Sequence, residues 1–193
     1  MKKVIRTIAA VALMFATTTI IAKEPKLETI DNSKTLVFEW DAQLVNTTVK
    51  IIDDEGYIIY KEFVSDVENY VKRFDLSFLP EGEYSLTVEN SMREVVYDID
   101  VDEQLVKIIG EDEKMKPIYR KEEGRIFLNY LNTDKDQVKI TVYDSLGRKL
   151  FKETLSDKLL IEKVFNFQDA FEGEYTIVVK KDSETYYETV SIQ

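Results

Sequence analysis

From Val138 to Tyr143 apolar and polar positions alternate, with Val138, Ile140 and Val142 on one side and Lys139, Thr141 and Tyr143 on the other. A period of two places these sets on opposite faces of a β-strand, one face buried. Val49 and Ile51 set the same rhythm upstream. Further short runs suited to strands lie at 27–30, 35–41, 57–64, 68–76, 84–89 and 94–101, and again at 117–121, 125–131, 148–155, 159–167, 175–180 and 185–192. No stretch among them carries a helical period. Turn residues punctuate the runs at intervals of roughly 10 residues, the spacing of an all-β sandwich.

The two series are copies. Shifted by 91 residues without a gap, 35–102 overlies 126–193 with 13 identities, at 53, 56, 61, 62, 65, 66, 72, 74, 81, 82, 83, 84 and 88. A period this long fits a whole domain rather than a solenoid unit. The expected fold is therefore all-β: two tandem immunoglobulin-like β-sandwiches of about seven strands each. The expected boundaries are 23–102 for the first sandwich, 103–116 for a linker with room for an added strand, and 117–193 for the second. Within that linker, Gly110–Lys116 with its acidic Glu111, Asp112 and Glu113 is the most linker-like stretch.

Composition adds the compartment. Lys2, Lys3 and Arg6 precede an apolar run from Ile8 to Phe15, and Ala22 suits the last residue before a cut, so 1–22 reads as a signal peptide. An uncleaved anchor is the other reading, but Thr7–Ala22 has 16 residues and four threonines. A helix crossing a bilayer takes about 20 apolar residues. No later stretch is apolar enough to span as a helix, so no stable membrane span is expected once the signal is removed. The protein is expected to be exported, to the periplasm or to the cell surface and beyond. Without the signal, 23 bases face 37 acids, a net charge of −14 against −11 for the whole chain. Such a surface lacks the basic footprint of a nucleic-acid binder. Cysteine is absent, so stability rests on burial without a disulfide framework.

Chemistry has few candidates. The chain has no His and no Cys, which removes Ser-His-Asp and Cys-His catalysis and most zinc sites. Among 37 acids no carboxylate pair stands out, and no enzyme, cofactor or metal site is expected. Asp53-Asp54-Glu55 has the look of oxygen ligands for calcium. Its counterpart Asp144-Ser145-Leu146 drops two of the three acids while keeping the turn, so turn geometry is the better account. Gly56 and Gly147 close those turns and suit a positive φ. Tyr84 and Tyr175 each follow Glu-Gly-Glu at the start of a strand and read as tyrosine corners, their hydroxyls bonding back to upstream backbone. Trp40, Tyr186 and Tyr187 are the candidate ligand-binding aromatics. Adjacent Tyr186 and Tyr187 must point to opposite faces, so one of them is free to meet a sugar; Trp40 suits the core better.

One resemblance attaches to these residues. The run Ile140–Leu150, with its Tyr143-Asp144-x-x-Gly147-Arg148, and the Leu79-Pro80-Glu81-Gly82-Glu83-Tyr84 corner resemble the C-terminal sorting domain of type IX secretion cargo over about 50 residues of each copy. The acidic end of this chain, Glu188–Gln193, departs from the basic, apolar last strand usual there. Small secreted bacterial β-sandwich proteins resemble it equally, and Asp144-Ser145-Leu146 resembles an O-glycosylation acceptor in such proteins. The resemblance implies export and a sandwich fold. Three functions follow as expectations: a structural or binding protein working through strand edges or faces toward a protein partner, a sorting module, or a module for surface glycans.

Overall fold

The computed structural model describes residues 24–40 and 44–192, and every regular element among them is a β-strand. The expected signal peptide, 1–22, lies outside the described residues. In the first half, β1 (Lys26–Thr29), β2 (Thr35–Trp40) and β5 (Tyr70–Asp75) form a sheet in the order β1-β2-β5. Against it lies a five-stranded sheet of β3 (Thr47–Asp53), β4 (Ile58–Val64), β6 (Gly82–Glu89), β7 (Arg93–Val101) and β8 (Val106–Met115), ordered β4-β3-β6-β7-β8. In the second half, β9 (Ile118–Glu122), β10 (Arg125–Leu131) and β13 (Leu160–Asn166) form a sheet ordered β13-β10-β9. Its partner contains β11 (Val138–Asp144), β12 (Lys149–Leu155), β14 (Gly173–Lys181) and β15 (Glu184–Ile192), ordered β12-β11-β14-β15. All pairings are antiparallel.

The alternation seen in the sequence is what builds the two cores. Val49 and Ile51 of β3 are buried and meet Leu36, Phe38 and Phe74 from the opposing sheet, with Leu86, Val88 and Tyr97 beside them. A separate cluster holds Ile126, Leu128 and Ile161 of one sheet and Val138, Ile140, Ile177 and Val179 of the other. Each half is thus a sandwich whose inward rows pack into one core, while several apolar residues, among them Phe63, Val71, Leu150 and Val164, stay exposed outside it.

The ladders of the two halves correspond. Asp53 pairs with Tyr84 and Ile51 with Leu86; Asp144 pairs with Tyr175 and Val142 with Ile177. Bulges also match, at Ile51/Ile52 and at Val142/Tyr143. The gapless 91-residue shift fails in one place. Leu36, Phe38 and Trp40 bury the face of β2 that Ile126, Leu128 and Tyr130 bury in β10, an offset of 90. Trp40 lies opposite Tyr70 and Tyr130 opposite Ile161, which places the missing residue between this strand and the next. A strand cannot absorb a one-residue slip without turning its apolar row to solvent; a loop can.

The added strand for which the expected linker left room is there, and it runs on through 110–115, the part that reads as most linker-like in the sequence. Residues 106–115 are strand β8, paired along its length with β7, and Glu111, Asp112 and Glu113 sit exposed on a sheet edge. The register slips between Asp98 and Ile99, opposite Gly110, where a Cβ would come 2.7 Å from the Asp98 Oδ2. That bulge breaks the period of two, and the acidic triplet offers no apolar alternation to read. Only Lys116 and Pro117 separate β8 from β9. Lys116 donates to Glu89 Oε1 at 2.6 Å, and Met115 packs on the second core.

Turn residues behave as their chemistry dictates. Asp53 Oδ1 accepts from the amides of Glu55 and Tyr57 at 3.1 and 2.7 Å, and Asp144 Oδ1 accepts from those of Leu146 and Arg148 at 3.0 and 2.9 Å. These carboxylates are occupied by backbone. Gly56 and Gly147 take φ of 87° and 73°. Tyr84 donates to the Pro80 carbonyl at 2.9 Å and Tyr175 to the Phe171 carbonyl at 2.8 Å.

Candidate binding grooves at the open sheet edges

Each sandwich has one side on which edge strands of its two sheets face each other without pairing: β4 with β5, and β12 with β13. An apolar groove runs between them in both halves, about 310 Å³ in the first and about 540 Å³ in the second. Every residue lining the first groove has its counterpart 91 positions on lining the second, including Ile51/Val142, Ile59/Leu150, Tyr60/Phe151, Lys72/Lys163 and Phe74/Phe165. The site is a property of the repeated unit.

Two features recur across the gap. Tyr60 meets Phe74 edge-on with ring centroids 5.4 Å apart, and Phe151 meets Phe165 likewise at 5.6 Å. An ion pair then clasps the edges. Lys72 reaches Glu62 at 3.1 Å, and Lys163 reaches Glu153 at 2.7 Å.

The halves diverge in what surrounds the clasp. In the first, Tyr70 donates to Glu62 Oε2 at 2.8 Å and Tyr60 donates to the same oxygen. Lys72 also lies 5.4 Å from the centre of the Tyr60 ring. The Tyr60 hydroxyl, with Tyr70 and Lys72 behind it, holds the Glu62 carboxyl below the ordinary range. Burial, then the neighbouring carboxylate, pushes the Tyr70 phenol well up. In the second half Phe151 and Ile161 stand where these two tyrosines would be, so both hydroxyls are gone. Phe171, 90% exposed, replaces Pro80 at the rim, and Leu150, Leu160 and Val164 are exposed beside it. The first groove adds two tyrosine bonds to its clasp; the second keeps the Lys163–Glu153 pair alone and is the larger of the two.

The aromatics singled out in the sequence lie elsewhere. Trp40 is 3% exposed, with Phe38 against its edge and the Arg93 guanidinium 4.5 Å from its ring centre. Its Nε1 has no hydrogen-bond partner among the described residues. Tyr186 is half-buried and donates to Glu184 at 2.8 Å, whereas Tyr187 is 69% exposed. Trp40 belongs to the first core, and Tyr186 packs against the second. Sequence reasoning missed the groove residues, although Glu62/Glu153, Lys72/Lys163 and Phe74/Phe165 were among the identities between the copies. Among the described residues no cluster of carboxylates has the makings of a metal site, and no helix is long and apolar enough to cross a membrane.

A family model described as a domain of unknown function, DUF3244, matches residues 9–111. The chain belongs to that family. The DUF3244 match runs from before β1 into β8 and ends ahead of the second half. No curated protein matches the chain. Among solved structures, a biofilm-associated protein's BSP domain is 17% identical over 88% of this chain and 29% of its own, with a TM-score of 0.30. A two-domain fibronectin type-III segment of chicken tenascin is 12% identical over 88% of this chain and 100% of its own, at 0.28. The ligand-binding domain of human OSCAR is 9% identical over 89% of this chain and 99% of its own, at 0.26. No function passes from these structures to the DUF3244 chain at such scores.

Proposed function

We propose that this is an exported, non-enzymatic binding protein of two tandem sandwiches, acting in the periplasm or at the cell surface, and that its binding site is the groove between β12 and β13. The carrying observation is the contrast between the two copies. The same positions line both grooves, yet the second lacks the two tyrosines that tie down Glu62 and instead presents Phe151, Val164 and Phe171. An open apolar cleft flanked by unpaired strand edges accepts an extended segment by strand addition. Main-chain hydrogen bonds go to the edge, and alternate side chains go into the cleft.

The test is amide NMR on the mature chain, 23–193, titrated with a short peptide that alternates valine and threonine. Shifts confined to 148–155 and 160–167, and abolished by Leu150→Lys, are expected. Shifts of equal size along 58–64, or none at all, would overturn the reading. A glycan role rests on Tyr187 alone among the three aromatics, since it presents an exposed ring; glycan-array binding that is lost in Tyr187→Ala is the result that would favour it.

A further inference from the structure

Charge around the open groove identifies the occupant's chemistry. Residues 23–102 carry 8 bases and 19 acids, a net of −11, and the chain as a whole is at −11. The stretch bounding the second groove, 144–164, runs the other way: Arg148, Lys149, Lys152, Lys158 and Lys163 against Asp144, Glu153, Asp157 and Glu162, a net of +1. The equivalent stretch of the first half, 53–73, has Lys61, Lys72 and Arg73 against Asp53, Asp54, Glu55, Glu62, Asp66 and Glu68, a net of −3. Lys149 and Lys158 stand where the first copy has Ile58 and Val67, whereas Arg148 is paired with Asp144 at 2.6 Å and Val164 stands where the first groove has Arg73. Lys149 and Lys152 are exposed on β12, whose outer edge has no partner strand.

Lysines on a sheet edge repel neutral and basic strands. Placed beside an exposed Leu150 and Phe151, they do so selectively, because an acidic strand converts each repulsion into an attraction. Resting on the groove as the binding site, we infer that the occupant is an extended acidic segment of another protein, with apolar residues at every second position and Asp or Glu flanking them. The apolar side chains fill the cleft between Phe151, Phe165 and Phe171; the flanking carboxylates meet Lys149 and Lys152. Strand β8 of a second copy is acidic as well, but its inward side chains, Val106 and Ile108, are committed to its own core. It has no free apolar row to insert.

Two fluorescent nine-residue peptides with the same valine–threonine core test this, one with two glutamates at each end and the other with two lysines. Anisotropy titrations use the mature chain, 23–193, as wild type, as Lys149→Glu/Lys152→Glu and as Leu150→Lys, each verified as folded by circular dichroism. The glutamate-flanked peptide is expected to bind about tenfold tighter at low salt, as a few exposed charge pairs allow. The preference shrinks with added salt. Charge reversal inverts it, and Leu150→Lys removes both interactions. Equal binding of the two peptides overturns the acidic occupant while leaving the groove as a site. Binding of neither, or binding indifferent to Leu150→Lys, overturns both. Salt-sensitive self-association in sedimentation velocity that excludes the peptide makes a second copy the occupant and overturns the inference.

Discussion

Replacing Tyr70 by Phe tests the lock on the first groove at the cost of one oxygen. The ring stays packed 6.1 Å from Phe38, and what disappears is the 2.8 Å bond to Glu62 Oε2. A hydrogen bond to an ionised acceptor contributes about 1.5–3 kcal/mol. The Glu62 side chain is 35% exposed, so water recovers part of that loss, and about 1–1.5 kcal/mol is expected to remain. Tyr60→Phe removes the other hydroxyl on the same oxygen. Because each donor covers for the other, the double variant should lose more than the sum of the singles. Urea unfolding by linear extrapolation reads these differences. The pH dependence identifies their origin. Glu62 has a folded pKa below its unfolded value, so its contribution is complete above the unfolded pKa of about 4.3 and is lost as pH falls through the folded one. The gap between wild type and Tyr70→Phe should be full at pH 7, narrow below about pH 4 and close near pH 2. A gap that persists unchanged at pH 2 would mean that Tyr70 matters for packing alone. The double variant should also begin to bind the valine–threonine peptide along 58–64; continued silence there would refute the lock.

Two further tests concern the repeated turns and corners. Gly56→Ala and Gly147→Ala add a Cβ with nothing within 4 Å of it, at φ of 87° and 73°. Each should therefore cost about 1–2 kcal/mol in urea unfolding through backbone strain alone. Tyr84→Phe and Tyr175→Phe remove the bonds to the Pro80 and Phe171 carbonyls. Each should lower stability by about 1 kcal/mol by the same measurement.

Strand placement was legible because burial leaves its period in the chain: Val49 and Ile51, and Val138, Ile140 and Val142, are all buried. What escaped had no local signature. Room for a strand within 103–116 was legible, but its extension through Glu111-Asp112-Glu113 was not, since an exposed edge strand needs no apolar alternation. The register of β2 against β10 was off by one because no identity between the copies falls in that strand, the first being Asp53/Asp144 at the end of the next. Trp40 sits on the same face as Leu36 and Phe38, and the core reading of it follows from that row. The groove was invisible for a different reason. It joins two strands that never pair, and its defining trait is a loss, two hydroxyls absent at 151 and 161. A loss shows only once the first copy's Tyr60 and Tyr70 are seen bonded to Glu62.

The two copies also divide burial unequally, and that difference carries the last prediction. Among the described residues the first core holds 19 buried apolar residues, Val106 of β8 among them, and the second holds 12. With fewer contacts and an open side, the second sandwich should unfold first, giving a calorimetric trace with two transitions. Truncation assigns them. Ile177→Ala should lower only the first transition and Leu86→Ala only the second, each by about 2–5 kcal/mol, since both side chains are fully buried. An occupant of the β12–β13 groove binds only the folded second sandwich. At 100 times its dissociation constant it should add about 2.7 kcal/mol to that sandwich and leave the other unmoved. A single transition shifted by both truncations would mean that Met115 and the short Lys116–Pro117 joint fuse the halves into one cooperative unit. A peptide that raises the upper transition instead would move the site off the second groove. The lower transition is where binding should register, because the sandwich that keeps its edge open is the one with stability left to gain.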